Sequence, residues 1–534
     1  MSLTAARVLS PFPALRGCAA ALGAALLASS APAIAAVAYP LKLSPNGHSL
    51  VDQNGAPFRI HGDAAWSFIA NLTAAEQETY LADRQAKGFN SILVNLLEHK
   101  FAVSAPQNRD GNYPFTSHTA GSYDFGTRNE VYFAFADQAI SKAASHGIAV
   151  FLDPMYLGNS GGDEGWWSEL TNGVNTKTVC YEYGKALGSR YGSYPNIVWV
   201  MGGDFSPPSP SEGEARLQMI LTGLKAGGAT QLVTGHWTSN TIATDQTNFA
   251  SSLDLEATYL DPPQYKRSLP AYDAGPPVRP VFLLETGYEY EQWHPGDRAS
   301  IRMYEQQSFL GGNLAGVFFG TADIWEFSTS SWNADYGFSK GPWQNSLNSP
   351  GSMDMARFGA LLDALPWWKL VPSGRGGMKT LITSGGGSNG NLNWVTAAAD
   401  PGGTLLLAYL PPSHSGSITV DVTVMSAPAR ARWWDPASGA FTAPVTVTTT
   451  APQAFAPPGS NSSGAADWTL VIDTGTGTTV PDGGSAIPDA GTDPARTGPS
   501  CGCRGTTAGA ALPAAAVFAL WLRRRRRSRA RDRI

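Results

Sequence analysis

The chain has 534 residues, too many for one small core, so two or more domains are expected. Its composition is ordinary for a globular protein, 43% hydrophobic and 15% charged, but 58 Gly, 38 Pro and 16 Trp favour a loop-rich chain with broad aromatic faces over a helical bundle. The formal charge is −5, and setting aside the +2 of Arg7 and Arg16 and the +8 of residues 501–534 leaves −15, a balance that disfavours nucleic acid and anionic membrane surfaces as partners.

The opening stretch MSLTAARVLSPFPALRGCAAALGAALLASSAPAIAA joins two arginines, an apolar Ala/Leu run and small residues at Ala33 and Ala35. It reads as a secretory signal over residues 1–35, cut near Ala35 or at Ala38. In SLVDQNGAPFRIHGD, Asn54-Gly55 between two strand-like runs signals a hairpin. A series of short apolar runs follows: FRIHGDAAW, SILVNLL, IAVFLDPMY, IVWVMGGD, QLVTGHW, LDLEATY, PVFLLETGYE and GVFFGTADIW. Helix-like stretches lie between several of them. TAAEQETYLADRQAKG starts with Thr73 as N-cap and ends at Gly88, and NEVYFAFADQAISKAASHG and KTVCYEYGKALGSRYG space their apolar residues by three and four. Eight strands alternating with helices predict an α/β fold, a (β/α)8 barrel over residues 40–365 whose strands are buried on both faces. The alternative, a doubly wound open sheet, lacks a glycine-rich phosphate loop after the first strand.

After Leu365 the runs LLLAYLPP, SITVDVTVM, ARARWWDPASGAFT and ADWTLVID are β-prone and broken by Pro, Gly and Ser, which predicts a small all-β sandwich over residues 366–474. Residues 475–500 read as a flexible linker. The tail, residues 501–534, runs from SCGCRG through AGAALPAAAVFALWL to Arg523–Arg527. Its apolar run is short against the roughly 20 residues of a spanning helix, and the arginine block would hold it on the cytoplasmic side. Cys180 is the one cysteine outside the signal and the tail, and no metal-ligand spacing is found, so neither metal nor cofactor is expected.

In such a barrel the site forms where the strands end, so the residues closing each run are the candidates. They are Asp63 and Trp66, Asn95, Asp153 and Tyr156, Asp204, His236 and Trp237, Glu256 and Tyr259, Glu285 with Tyr288 and Glu289, and Asp323 with Trp325. Carboxylates and aromatics dominate. No nucleophile elbow, paired metal-spaced histidines or phosphate cradle accompanies them, and this set fits glycosidic bond cleavage by two carboxyl groups. Asp204 closes the fourth strand and Glu285 the seventh, across the mouth from one another. A separation of about 5–5.5 Å would make the reaction retaining and about 6.5–9.5 Å inverting, and retention is expected. Gly202 and Gly203 would let substrate approach the backbone while Asp204 projects into the mouth. As a general acid, Asp204 would need its carboxyl raised by roughly two pH units from about 3.9. An ionised Glu285 and desolvation by Trp199 or Trp237 would raise it. The competing expectation is that Asp204 caps the turn SPPSPSEGE.

The segments GDAAWSFIANLTAAEQETYLADRQAKGFNSILVNLLE, PNIVWVMGGD, PVFLLETGYE and SMDMARFGALLDALPWWKLVPS resemble the apiosidase-like glycoside hydrolases, glycoside hydrolase family 140, from about Leu43 to Pro372. The resemblance implies a (β/α)8 hydrolase of plant cell-wall glycans, characteristically the apiose-containing side chains of rhamnogalacturonan II. It also implies Asp204 as acid/base and Glu285 as nucleophile, with Asp63 and Trp66 lining the sugar subsite. Asn95, Asp153, His236, Tyr259, Tyr288 and Trp325 complete the expected substrate-binding set, and Trp166, Trp325 and Trp332 are candidate stacking platforms for a polysaccharide or oligosaccharide. Two departures bear on sugar specificity: LEATY stands where the sixth strand usually closes with serine, glycine and histidine, and the loop after Asp204 is proline-rich. WWDPASGAF resembles the collagen-binding-type domain usually found behind this barrel, with Trp433 and Trp434 expected in its core. The tail, with Cys501 and Cys503, resembles myxobacterial C-terminal sorting signals, which implies surface sorting machinery as a partner and display at the cell surface; a plain C-terminal anchor is the alternative.

Overall fold

The computed structural model describes residues 37–119, 122–291, 296–330 and 341–475. The expected signal, the tail and all but the first residue of the linker lie outside them.

A three-stranded antiparallel meander (Lys42–Leu43, Leu50–Val51, Pro57–Phe58) opens the fold, and Gly55 at φ +82° makes its second turn. The eight apolar runs are the eight barrel strands, each followed by a helix: β1 (Ile60–Ala64), α1 (Ala74–Ala86), β2 (Ser91–Asn95), α2 (Glu130–Ser145), β3 (Ala149–Asp153), α3 (Lys177–Tyr191), β4 (Ile197–Gly202), α4 (Glu212–Ala226), β5 (Val233–His236), α5 (Thr247–Ala250), β6 (Glu256–Tyr259), α6 (Tyr265–Tyr272), β7 (Val281–Glu285), α7 (Arg298–Leu310), β8 (Gly316–Phe319) and α8 (Pro350–Asp363). The sheet runs β5-β4-β3-β2-β1-β8-β7-β6, with Thr241–Ile242 added antiparallel on β6. The remaining seam between β5 and β6 is bridged where Asp254 N–H donates to the Val233 carbonyl (2.8 Å) and Thr234 Oγ1 to the Leu255 carbonyl (3.1 Å), so the barrel is nearly closed.

Burial on both faces explains the continuous apolar runs: every residue of β1 to β5 and of β8 is buried. In β6 and β7 only the last residue, Tyr259 and Glu285, keeps partial exposure, because it stands at the mouth. Phe151, Phe282 and Phe318 fill the interior, with centroids 5.0–6.2 Å apart. Gly62 on β1 makes room for them, since a Cβ there would lie 2.2 Å from the Phe318 ring. The helix starts follow their caps. Thr73 and Glu76 form a capping box on α1, and Asn129 and Thr176 cap α2 and α3.

The all-β domain comprises β9 (Val371–Pro372), β10 (Ile382–Ser384), β11 (Thr396–Ala399), β12 (Leu405–Leu410), β13 (Ile418–Val420), β14 (Ala429–Trp434), β15 (Val445–Val447), β16 (Gln453–Phe455) and β17 (Trp468–Asp473). They form antiparallel sheets ordered β9-β11-β12-β17-β14-β15 and β10-β13-β16. Trp433 and Trp434 are buried on opposite sides of β14: Trp433 packs between the sheets, and Trp434 joins a core shared with barrel residues Phe309 and Phe358.

Candidate active site

Strand β4 delivers its carboxylate through three successive left-handed residues, Gly202 at φ +112°, Gly203 at +105° and Asp204 at +47°. Aspartate tolerates that region better than most side chains. The glycines do not leave space for substrate as expected. A Cβ on Gly202 would lie 2.2 Å from the His236 carbonyl and 2.5 Å from the Trp237 ring, and one on Gly203 would lie 2.4 Å from Tyr156. They let β4, β5 and the loop after β3 close on each other, which turns Asp204 into the mouth.

His236 at the end of β5 joins the two carboxyl-bearing strands. Its Nδ1 accepts from the Asp204 backbone N–H (3.4 Å), while its Nε2 lies 2.7 Å from Glu285 Oε2 without hydrogen-bond alignment. An accepting Nδ1 places the hydrogen of the neutral ring on Nε2, facing the carboxylate. The other Glu285 oxygen, Oε1, accepts from the Tyr288 hydroxyl at 2.5 Å, and that hydroxyl in turn accepts from Trp66 Nε1 at 3.0 Å. Trp66 stacks on His236 (5.3 Å between centroids, 14° between planes), and Tyr259 packs tilted against the same ring at 5.1 Å. The structure therefore brings Trp66, Asp204, His236, Tyr259, Glu285 and Tyr288 into one cluster.

Electrostatics separate the two carboxyl groups. Burial, and then the facing charge of Glu285, push the Asp204 carboxyl well above its ordinary value, against a hydrogen bond from Asn159 Nδ2 to Oδ2 (2.7 Å). Among the described residues the buried Asp204 Oδ1 has no hydrogen-bond partner. Trp199 has no part in this desolvation: it points outward and donates to Gln231 (3.3 Å). Nor does the Asp204 carboxyl cap the turn SPPSPSEGE: Oδ2 accepts from Asn159, Oδ1 has no partner among the described residues, and the helix within that segment is capped by Ser211. Burial and the neighbouring carboxylates raise the Tyr156, Tyr259 and Tyr288 hydroxyls well above their ordinary range, so all three are neutral donors.

Several expected site residues stand elsewhere. Asp63 is corrected: its Oδ2 accepts from Tyr80 (2.7 Å) and Arg84 (2.6 Å) of α1, fully buried behind the strand, because alternation along β1 turns it away from the mouth. Asn95 and Asp153 form a separate buried group with Glu98, whose Oε2 accepts from Asn95 Nδ2 (3.2 Å) and Ser67 Oγ (3.0 Å). Asp153 Oδ1 accepts from Met155 N–H (2.8 Å), its Oδ2 has no partner, and burial pushes its carboxyl well up. Glu256 is spent on Thr244, and Glu289 accepts from Gly351 N–H at the start of α8. Trp325 packs edge-on against Phe101 at 4.7 Å. Trp166 is fully buried among Phe115, Tyr123 and His99 and offers no platform, and Trp332 lies outside the described residues. Reading strand ends missed Asn159 and Glu98, which sit in the loops after β3 and β2; the polar run NSGGDEG and the Glu three residues after Asn95 were their only traces.

Comparison with known proteins bears on the family and the fold. A family model described as "Apiosidase-like, catalytic domain" matches residues 44–369, and one described as "Putative collagen-binding domain of a collagenase" matches residues 380–473. No curated protein matches the sequence. Among solved structures, a glycoside hydrolase family 5 protein from Bacteroides vulgatus is similar at 22% identity and TM-score 0.68, over 84% of this chain and 96% of its own. A second structure, titled a glycoside hydrolase, is similar at 22% identity and TM-score 0.67, over 82% and 97%. At such identity these likenesses speak for the fold, whereas the catalytic-domain model spans more than half of the sequence: the chain belongs to the apiosidase-like family and is a glycoside hydrolase.

Proposed function

We propose that the protein is a retaining glycosidase of plant cell-wall-type polysaccharides, within glycoside hydrolase family 140, with Glu285 as nucleophile and Asp204 as general acid and base. The observation that carries this reading is the convergence of the two carboxyl-bearing strands on one imidazole, with opposite protonation demands on either side. The Tyr288 hydroxyl donates to one Glu285 oxygen and the Nε2 side of His236 faces the other, while burial and the Glu285 charge keep a proton on Asp204.

In the first step Glu285 attacks the anomeric carbon, the bond to the leaving oxygen breaks, and Asp204 gives that oxygen its proton. Once Asp204 is ionised, it takes a proton from water as the water's oxygen attacks the glycosyl ester and releases Glu285. Trp66 and Tyr259, both packed against His236, supply flat apolar faces beside the anomeric centre. Residues 1–35 and 501–534 support export and display at the cell surface.

Screening plant polysaccharides for released sugar tests the activity. Glu285→Ala is expected to abolish release while glycan binding persists, and azide is expected to restore turnover by attacking the same face, giving a glycosyl azide of inverted configuration. Wild-type protein that binds glycans and cleaves none would instead mark a surface glycan-binding protein. Retention of binding without azide rescue would make Glu285 a general base and the reaction inverting.

A further inference from the structure

We propose that Asn159 is a positioning residue that fixes which oxygen of Asp204 carries the transferable proton. The inference rests on the reading of Asp204 as proton donor. Asn159 Nδ2 donates to Oδ2 at 2.7 Å, so a proton on Oδ2 would compete with the amide for the lone pairs there. Oδ1 is buried and has no partner among the described residues, so a proton on it meets no competitor there. The amide thus directs the acidic hydrogen to Oδ1, where no second donor competes with it.

The loop that carries Asn159 is built to hold this contact. Its two ends meet at Gly158 and Gly165, where a Cβ on Gly158 would lie 2.5 Å from the Gly165 nitrogen. Gly161, at φ +68°, rests on Trp167 and Phe205, whose rings meet edge to face at 4.8 Å, and Phe205 is the neighbour of Asp204. Ser160 Oγ donates to Asn159 Oδ1 at 3.2 Å, which fixes the amide with its NH2 turned to Asp204. One packed aromatic pair therefore ties the loop after β3 to the residue following the acid. The other groups facing Asp204 are Glu285 on β7, Glu164 on the same loop as Asn159, Asp261 after β6, and the hydroxyls of Tyr156 and Tyr259, with His236 on its backbone N–H. Among these carboxylates and neutral hydroxyls, the Asn159 amide is the donor to the carboxyl oxygens and so the group that holds the proton's affinity down.

Selective 13Cγ-aspartate labelling of the full chain, with Asp204→Asn to assign the resonance, reads this titration without reference to turnover. In Asn159→Ala the Asp204 midpoint is expected to rise by about one pH unit, and Asn159→Gln, which keeps an amide, to return part of the way. With aryl glycosides of the sugar that wild type releases, Asn159→Ala is expected to lose about tenfold in kcat with a phenolate leaving group, which needs the proton. Little should be lost with 2,4-dinitrophenolate, which does not. An unmoved midpoint, or equal losses on both leaving groups, overturns the proposal. A midpoint that moves in a protein that cleaves no glycan leaves the Asn159 contact standing and refutes the hydrolase assignment of the pair instead.

Discussion

At Asp204 the proposed function is set against stability. The residue occupies the left-handed region at φ +47°, faces Glu285 and holds its proton well above the ordinary range because its ionised form is poorly solvated. The native state therefore binds a proton that the unfolded chain releases near pH 4, and stability falls as pH rises from there through the native midpoint. Asp204→Asn keeps the acceptor for Asn159, tolerates the same backbone angle and removes the charge. It is expected to lower kcat by about 10²–10⁴-fold. It should also stabilise the fold relative to wild type by an amount that is small at pH 4 and grows toward pH 8, as urea denaturation at both values would show. A stability difference independent of pH would mean that the ionised Asp204 costs the fold nothing. The pair itself was legible in the sequence because each carboxylate terminates an apolar run, whereas Asp63 terminates one equally well and serves structure. What separates them is Arg84, 21 residues further on, whose guanidinium meets Asp63 only once α1 has packed on the barrel. Asn159 was illegible for the same kind of reason: its partner comes from the next strand.

The strands and principal helices could be read as elements because burial on both faces writes an uninterrupted apolar run and because caps mark the helix starts. The all-β domain was read as four runs, while six of its nine strands span only two to four residues and leave no periodicity to detect. Helix–helix spacing was equally hidden. α3 and α4 pack through glycines on both sides: a Cβ on Gly184 would lie 2.1 Å from the Ile220 carbonyl, one on Gly188 2.1 Å from that of Leu224, and one on Gly223 2.1 Å from that of Tyr181. The obstruction in each case is backbone of the facing helix, which cannot rotate aside. Gly223→Ala improves helix propensity by about 1 kcal/mol but must part the two helices. A net loss of about 1–3 kcal/mol is expected, measurable as a lower urea midpoint with unchanged slope, whereas Gly228→Ala, where nothing lies within 4 Å but φ is +104°, should cost stability through backbone strain alone. If Gly223→Ala stabilised the protein, the close approach of α3 and α4 would be wrong.

The barrel and the β-domain lie in one compact unit, and what joins them is both apolar and ionic. One core runs from Leu283, Phe309, Val317 and Phe358 of the barrel into Leu405, Leu407, Tyr409 and Val471 of the second domain. At its edge Arg302 of α7, fully buried, spans the boundary: Nε and one terminal nitrogen hold both oxygens of Asp467 at 2.8 Å, and the other terminal nitrogen reaches Asp354 of α8 at 2.9 Å. Asp354 also accepts both ends of an Arg298 fork at 2.6 Å, and Asp467 accepts from Asn461 and Tyr409. Removing the central cation leaves carboxylates in a site that excludes water. Arg302→Met, close in volume but uncharged, is therefore expected to cost about 3–5 kcal/mol. Because the core is shared, wild type is expected to unfold in one transition seen alike by tryptophan fluorescence and far-UV circular dichroism. If Arg302→Met splits that transition in two, the ion pairs are what couple the domains; if it lowers a single midpoint, the apolar core couples them and the arginine adds strength. A cost below about 1 kcal/mol at pH 8 would contradict the buried pairing itself.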